Sequence, residues 1–467
     1  MKCRLKTHWG FLIAFAGGAV LRAVAMLGYR WQMWFPDSYG YLTTAAHPVA
    51  GVIRPSGYPL LLWVLRPMHS FALVTALQHL MGLGIGVMVY ALLRRNRLPG
   101  WGATLAAVPV LFDAYEVELE HLVLSDTLFA CLVTGAITVV LWRYEVTPRR
   151  SAVAGLLLGL SAIVRTVGLP LLAVFVVFLL ARRVSWRALA AAVTVCALPV
   201  AAYTGWFASD QHRFGLSGST GVFLYSRTVA FADCARIRPP ADERPLCPAK
   251  APGRHQASMV WGPDSPLRLL PGQRFAPYKD RLAGDFAARA VRAQPLDYLA
   301  VVGVDLARTF ELGHPAFPDA QTYRYYLFRP HTITPPAQAA RTIRAYGHAS
   351  PVTRVVQPYA MALRAYQRYF YLRGALFGVI ILIGFAGIAV RWRRLGGRAS
   401  LPWGVAMAMI VIPPATVEFD YRYVLPAVSP ACVAAALAVR HFWAARTATA
   451  SEAQSDGGFR VGEKLDV

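Results

Sequence analysis

The residues best suited to chemistry in this chain are charged side chains at the ends of long apolar segments. Asp37 lies in a polar stretch, Trp34 to Tyr41, directly after the first apolar segment. A carboxylate in that place can take a proton from a hydroxyl group, as a general base does. Arginines at neighbouring segment ends can hold a phosphate through paired N–H donors. These two residue types together are what the transfer of a group from a lipid phosphate requires.

Further candidates are spread along the chain and share a position at the ends of apolar segments. Each candidate has a plainer alternative: a structural ion pair for an arginine, a helix cap or a solvated loop position for an acid. The phosphate-binding candidates are Arg54, Arg165, Arg422 and Tyr423. The acids that could bind an acceptor or a metal are Glu116, Glu118, Glu120 and Asp126. The pocket candidates are Tyr39, Tyr58, Glu418 and Asp420.

The composition excludes a soluble globular protein. Hydrophobic residues make up 56% of the 467 positions, and the mean hydropathy is +0.42. The formal net charge of +24 would suggest a nucleic-acid partner in a soluble protein. Here the arginines cluster at the ends of apolar segments, which indicates membrane topology and no nucleic acid. The excess of arginine over lysine and the abundant alanine are typical of a GC-rich bacterial genome.

Apolar runs near the length of a bilayer predict an all-α integral membrane fold with about ten transmembrane helices. The predicted helices lie near residues 9–29, 70–93, 101–115, 122–142, 151–164, 166–181, 187–207, 371–390, 401–417 and 424–441. With this number of crossings, each cluster of basic residues falls on the cytoplasmic side, as the positive-inside rule expects. Both termini are then cytoplasmic, and the candidate residues face outside.

The run from Ser151 to Ala181 decides the count, because it has an arginine pair at each end and Arg165 in the middle. One long helix would place an arginine pair on each side of the membrane. Two short helices that meet at residues 165–168 put both pairs inside and bring Arg165 to the outer surface, away from mid-bilayer. The sequence therefore favours a hairpin.

Four regions follow from this topology. An N-terminal membrane module covers residues 1–207 and includes a first outer loop at 30–69, where an amphipathic run at 57–68 is expected to lie along the interface. A largely helical extracytoplasmic domain at 208–370 is inserted before the last three helices, and Pro295 is expected to open one of its helices through about Phe310. The C-terminal helices occupy 371–446, and a polar tail at 447–467 is expected to be disordered. Cys234 and Cys247 flank a proline-rich loop of the outer domain and are either a disulfide or two free thiols.

Three other patterns receive structural interpretations. Gly82 to Gly86 and the Gly155, Gly159 pair lie inside apolar helices, which indicates close helix packing. His121 beside Glu120 lacks the two-histidine spacing of a zinc site. The tyrosines from Tyr323 to Tyr326 are interpreted as interfacial anchors, with sugar stacking as the alternative.

The charged candidates occur within an ordered set of motifs that resembles the type C membrane glycosyltransferases. The resemblance is closest to the branch of protein mannosyltransferases and the lipid A aminoarabinose transferase. Its motifs are the acid after the first helix, Arg54-Pro-Ser-Gly-Tyr-Pro59, Leu124-Ser-Asp-Thr-Leu-Phe129, Ile163-Val-Arg-Thr-Val-Gly168 and Tyr421-Arg-Tyr-Val-Leu-Pro426.

This resemblance implies that Asp37 is the catalytic base of an inverting single displacement with a polyprenyl-phosphate sugar as donor. Family members often carry two adjacent acids at this place, whereas this chain has Ser38 after Asp37, so no second acid stands there. Arg54 replaces the histidine of a family segment and is expected to contact phosphate. The implied partners are the lipid-linked sugar, membrane lipid, and a glycan, lipid or protein acceptor, and the implied location is the bacterial inner membrane. A divalent cation stays open as a cofactor, with Asp126 and Glu120 as its candidate ligands.

Two other functions fit the composition. A transporter or flippase of lipid-linked glycans would also gather charges at a membrane cavity. It would usually show repeat symmetry and polar sites in the middle of the membrane, and neither is clear here. A non-catalytic assembly protein would use its outer domain to bind partners and would tolerate loss of Asp37 and Arg422 together.

Overall fold

A computed structural model of the chain describes residues 8–248, 256–263, 265–332, 334–348, 350–394 and 397–457. Their regular secondary structure is almost entirely helical. The N-terminal module contains α1 (Trp9–Gly28), β1 (Tyr29–Arg30), α2 (Pro36–Ala46), α3 (Gly57–Leu65), α4 (Phe71–Arg95), α5 (Gly100–Phe112), α6 (Ala114–His121), α7 (Asp126–Leu141), α8 (Pro148–Val164), α9 (Gly168–Ala181) and α10 (Trp186–Gln211).

The middle of the chain forms shorter helices, and the end returns to long apolar ones. The middle elements are α11 (Thr220–Thr228), α12 (Cys234–Ile237), α13 (Ser258–Trp261), α14 (Pro277–Ala293), α15 (Pro295–Arg308), α16 (Ala320–Tyr323), α17 (Ala337–Gly347), β2 (Arg354–Val355) and α18 (Tyr359–Tyr369). The last elements are α19 (Gly374–Val390), α20 (Ser400–Thr416) and α21 (Tyr421–Gly457). The two short strands pair antiparallel, with Tyr29 opposite Val355, and so tie the end of α1 to the end of the middle region.

Five helical segments of the described chain are long and apolar enough to cross a membrane, which makes this a multi-pass membrane protein. They are Trp9–Gly28, Phe71–Arg95, Trp186–Gln211, Gly397–Thr416 and Tyr421–Arg440. A sixth crossing is formed if α18 and α19, which meet at a bend of 56°, are counted as one span. The helices α5, α7 and α9 are apolar but shorter. All ten predicted segments contain a helix, while the count of ten crossings stays a prediction.

The break predicted at Arg165 is present. α8 ends at Val164, Arg165 has extended backbone angles, and α9 begins at Gly168. The Gly155, Gly159 pair also has the predicted packing role. A Cβ at Gly155 or Gly159 in α8 would overlap a backbone carbonyl oxygen of α10. The two helices therefore touch backbone to backbone, which only small residues allow.

Two segments differ from the sequence prediction. The helix predicted at 101–115 ends at Phe112, because the Asp113 side chain accepts hydrogen bonds from the backbone N–H groups of Tyr115 and Glu116 and starts α6 there. All eight residues of α6 are buried, so the acidic group does not line an open loop. The expected disordered tail at 447–467 is helical as far as Gly457, in line with an alanine-rich sequence that continues the last span. Residues 458–467 lie outside the described part of the chain.

Residues between Val222 and Ala290 form an apolar core of their own, built around Tyr225 and Phe286. A disulfide joins Cys234 to Cys247, which decides between the two alternatives left open by the sequence. The helix expected to open at Pro295 does so and ends at Arg308, two residues before the predicted end. The run at 57–68 is helical, with Trp63 and Val64 exposed and Leu62 buried, as an interfacial segment requires.

Candidate active site

Asp37 is placed by the start of α2. Pro36 opens the helix, where its missing N–H group costs nothing. The Ser38 hydroxyl accepts a hydrogen bond from the backbone N–H of Phe35 at 3.0 Å and is fully buried. Ser38 therefore fixes the first turn of α2. Asp37 itself lies in the first turn, where the helix dipole favours a negative charge.

Two arginines hold the Asp37 carboxylate. Arg422 donates from Nη1 to Oδ2 at 2.8 Å, and Arg54 lies with Nη2 2.9 Å from Oδ1. The Arg422 side chain is 5% exposed and that of Arg54 31%. Burial by itself would raise the pKa of Asp37, but the charges of Arg54 and Arg422 outweigh it and lower the pKa below its ordinary value. The carboxylate is therefore held in its ionised form.

Arg422 sits in the first turn of α21 and is fixed from several sides. Its Nε donates to Asp420 Oδ2 at 3.1 Å, and Asp420 also accepts a hydrogen bond from the Tyr326 hydroxyl. The guanidinium lies over the rings of Phe35 at 4.5 Å and Tyr423 at 5.1 Å. An arginine held by two carboxylates and two rings has little freedom to turn toward another partner.

Arg165 joins the same group through Tyr423. Its guanidinium lies 4.9 Å from the centre of the Tyr423 ring, the ring that Arg422 also contacts. It forms an ion pair with Asp126 Oδ1 at the start of α7. The other oxygen of Asp126 is buried and accepts no hydrogen bond in the described structure. The structure thus brings Asp37, Arg54, Arg165 and Arg422 together around one tyrosine and one carboxylate.

The loops that carry Arg54 and Arg165 are held against each other by Gly57. A Cβ at Gly57 would lie 2.5 Å from the backbone oxygen of Ile163 and 2.9 Å from the backbone nitrogen of Val164. Only glycine lets the start of α3 approach the end of α8 this closely. This contact brings two basic residues that are far apart in sequence to the same place.

Glu118 and Glu120 do not join the group around Asp37. Glu120 is fully buried, receives two hydrogen bonds from Arg22 at 2.7 and 2.5 Å, and lies 2.8 Å from His79 Nδ1. His79 Nε2 in turn lies 3.0 Å from His121 Nδ1, within hydrogen-bond distance. Glu118 is buried nearby on α6, where burial raises the pKa of its carboxyl group. Glu120 belongs to a polar network inside the bundle, and Glu118 lies buried on the same short helix, α6.

The four pocket candidates differ in how close they lie to the group around Asp37. Tyr58 is fully buried and donates to Gln78 Oε1 at 2.5 Å, so its hydroxyl faces the bundle interior. Tyr39 is partly buried beside Trp34, with ring centres 6.2 Å apart. Glu418 lies in the loop before α21, where burial and the nearby Asp420 raise the pKa of its carboxyl group to about 7. Of the four pocket candidates, Asp420 alone contacts Arg422 directly.

The sequence did not single out three residues that contact the candidate side chains, which are Arg22, Phe35 and Tyr326. Arg22 gave a usable signal, because a single arginine within an otherwise apolar first span requires a buried partner. Phe35 and Tyr326 gave none: a phenylalanine beside a candidate acid and one tyrosine among several do not reveal that they contact Arg422 or Asp420.

The residues suggested for a divalent cation do not converge. Both oxygens of Glu120 are occupied by Arg22 and His79, and one oxygen of Asp126 is occupied by Arg165. Within the described residues, no three His, Cys, Asp or Glu side chains form a group that could hold a metal ion. The Asp126 and Glu120 pair therefore does not fit a metal centre, and no chemical step is assigned to one.

Comparison with known proteins yields structural matches only. No family model matches the chain, and no curated protein matches it. The oligosaccharyltransferase AglB from Archaeoglobus fulgidus, solved with an inhibitory peptide and a dolichol-phosphate, is similar over 99% of this chain and 53% of its own, at 13% identity and a TM-score of 0.42. This chain spans about half the length of that enzyme.

A second match comes from bacteria. ArnT from Cupriavidus metallidurans is similar in the apo state over 92% of this chain and 76% of its own, at 15% identity and a TM-score of 0.36. Its structure bound to undecaprenyl phosphate is similar over 91% of this chain and 76% of its own, at 14% identity and a TM-score of 0.37. At this level of similarity, the function has to be argued from the geometry of the site.

Proposed function

We propose that this protein is a membrane glycosyltransferase that moves a sugar from a polyprenyl-phosphate carrier to an acceptor outside the cytoplasm. The observation that carries the proposal is the grouping of Asp37 with Arg54, Arg165 and Arg422, which come from four separate parts of the chain. An ionised carboxylate beside several guanidinium groups has the two elements that this reaction needs, a proton acceptor and a phosphate-binding cluster.

The four residues have different parts in this proposal. Arg54 is the most exposed of the three arginines and shares Asp37 with Arg422. We assign Arg54 and Arg165 to the carrier phosphate, and Arg422 to holding Asp37 in place. When Arg54 turns to the phosphate, Asp37 Oδ1 loses its partner and the pKa of Asp37 rises, because one of the neighbouring arginine charges that lower it has moved away. Binding of the donor phosphate thus makes Asp37 a stronger base.

The chemical step is a single displacement. Asp37 takes the proton of the acceptor hydroxyl group, and that oxygen attacks the anomeric carbon of the sugar. The bond from the anomeric carbon to the phosphate oxygen breaks, and its electron pair leaves with the polyprenyl phosphate. Arg54 and Arg165 stabilise the negative charge that develops on the phosphate. Attack opposite the leaving group inverts the anomeric configuration.

Two features support the side of the membrane that we propose. The Cys234–Cys247 disulfide favours an oxidising compartment for the region between α10 and α19, which also provides Tyr326 to the site. The basic clusters favour cytoplasmic ends for the spans on the other side. We therefore assign the protein to a bacterial inner membrane, with both termini inside and the site facing outside.

The test is transfer by purified protein supplied with a panel of radiolabelled polyprenyl-phosphate sugars and candidate acceptors. We expect at least one donor to lose its label to an acceptor or to water, with release of polyprenyl phosphate. A chelator arm measures whether a divalent cation is needed. If every donor remains intact while the protein moves labelled lipid between leaflets of proteoliposomes, the transporter alternative replaces this proposal.

A further inference from the structure

The helix α15 has a continuous apolar face that no described residue covers. Its exposed positions recur at the spacing of one helical face, and they are Leu296, Leu299, Ala300, Gly303, Val304 and Ala307. Leu296 is 78% exposed, Leu299 60% and Val304 56%. A stripe of this length on one helix is more than scattered surface apolarity and indicates a contact surface.

Ion pairs attach α15 to neighbouring helices on its other sides. Asp305 is buried and pairs with Arg227 of α11 at 2.5 Å, and Asp297 pairs with Arg236 at 2.8 Å. Arg308 donates to Asp305 at 3.3 Å. The helix is therefore oriented by ion pairs to its own domain, and the apolar stripe is left on the outside.

Both ends of α15 contact long apolar helices. Near its start, the Tyr298 hydroxyl donates to the backbone oxygen of Ala415, at the end of α20. Just after its last turn, the Phe310 ring lies against Gly378 and Phe377, about one turn into α19. The chain runs through α19 and returns through α20, so the start of α19 and the end of α20 lie at the same boundary. The two contacts of α15 are therefore at one membrane boundary.

We propose that α15 lies along this boundary with its apolar stripe inserted among the lipids of the outer leaflet. A helix attached at two points to one boundary must run along it, and 14 residues extend about 21 Å, enough to link two neighbouring spans. The stripe lies near a second exposed apolar surface, because α19, which the Phe310 ring contacts, exposes Leu376, Val379 and Leu382. The occupant that fits an apolar face near a second exposed apolar surface is the acyl region of the bilayer.

This position has a consequence for the site. The chain that follows α15 carries Tyr326, which donates a hydrogen bond to Asp420 beside Arg422. A helix seated in the outer leaflet fixes the height of this segment above the membrane, and with it the outer wall of the charged group.

The test uses spin labels on the full-length protein in nanodiscs of phosphatidylethanolamine and phosphatidylglycerol. The free cysteines Cys131, Cys196 and Cys432, together with Cys3, are replaced by alanine. Single cysteines are then introduced as Leu299→Cys on the stripe, Leu382→Cys on the exposed face of α19, and Arg281→Cys on the exposed face of α14. All three positions are exposed, so the substitutions remove little packing.

Power saturation measures the accessibility of each label to oxygen, which concentrates in lipid, and to a nickel chelate, which stays in water. We expect the oxygen-to-nickel ratio at position 299 to exceed that at 281 several-fold and to approach that at 382. A ratio at 299 equal to that at 281 would show a water-facing helix and overturn the proposal. Low accessibility to both reagents would show a protein-covered face, such as a second copy of the chain, and would overturn it as well.

Discussion

The two arginines on Asp37 should contribute very unequally to stability, and double-mutant cycles measure the difference. The Arg422 and Asp37 side chains are 5% and 8% exposed and share a 2.8 Å hydrogen bond, whereas Arg54 is 31% exposed. Removing one partner of a buried pair costs about 3–5 kcal/mol, because the other charge stays buried. Exposed pairs are typically worth about 0–1 kcal/mol.

The variants are Arg422→Gln, Arg54→Gln and Asp37→Asn, alone and in the two double combinations. We expect a coupling energy of about 3 kcal/mol for Arg422 with Asp37, and about 1 kcal/mol or less for Arg54 with Asp37. The assay is reversible unfolding with SDS in mixed lipid micelles, followed by the loss of helical signal. Arg281→Gln, at an exposed position of α14, is the matched control and should change the free energy of unfolding little.

The unequal coupling matters because the proposed mechanism needs Arg54 to leave Asp37 while Arg422 stays. A coupling energy for Arg54 equal to or larger than that for Arg422 would refute this reasoning. In that case the exposed arginine would be a structural partner of the carboxylate, and the phosphate would need a different ligand.

Three further predictions concern pH and packing. Arg54→Gln removes a charge that lowers the pKa of the proposed base, so the acid limb of kcat/KM should move to higher pH; an unmoved limb would contradict the assignment. Gly82→Ala would place a Cβ against the Glu120 carboxylate and should lower the unfolding temperature. Gly84 has open space around it, so Gly84→Ala should keep or raise the unfolding temperature. Equal effects of the two substitutions would argue against the buried network. The pKa of Glu418 is raised from 4.5 to about 7, so the stability that this residue contributes is full below pH 4.5 and is lost as the pH rises through 7. At about 1.4 kcal/mol per pKa unit, the loss is on the order of 3 kcal/mol. Glu418→Gln should therefore raise the unfolding temperature at pH 8 but not at pH 5.

Much of the architecture could be predicted because apolar length and basic flanks are local properties of a sequence. The break at Arg165 is an example: the cost of a charge at mid-bilayer is enough to place a turn there, and α8 and α9 are separated at that residue. The α6 segment could not be predicted in the same way. Its glutamates look like surface acids by composition, and only the capping by Asp113 and the presence of Arg22 in α1 show that the helix turns inward.

The site was predictable to the level of residue types and only partly to the level of partners. Asp37 and Arg422 were expected near each other because both stand at segment ends on one face, and they are in contact. The sequence could not show that Arg54 also reaches Asp37 or that Asp126 pairs with Arg165, because these contacts depend on the approach of α3 to α8 at Gly57. Close backbone approach is a property of three-dimensional packing, and a glycine is the only sign of it in the sequence.

The most direct measurement of the central claim is the turnover rate of Asp37→Asn with a donor that the wild-type protein consumes. Asparagine keeps the shape of the side chain and removes its ability to accept a proton, so the rate should fall by about 10²–10⁴-fold. Asp285→Asn, an exposed acid on α14, is the matched control and should retain the wild-type rate. Correct folding of both variants is checked by the Cys234–Cys247 disulfide and by the unfolding temperature. A well-folded Asp37→Asn protein that transfers sugar at the wild-type rate would contradict the account.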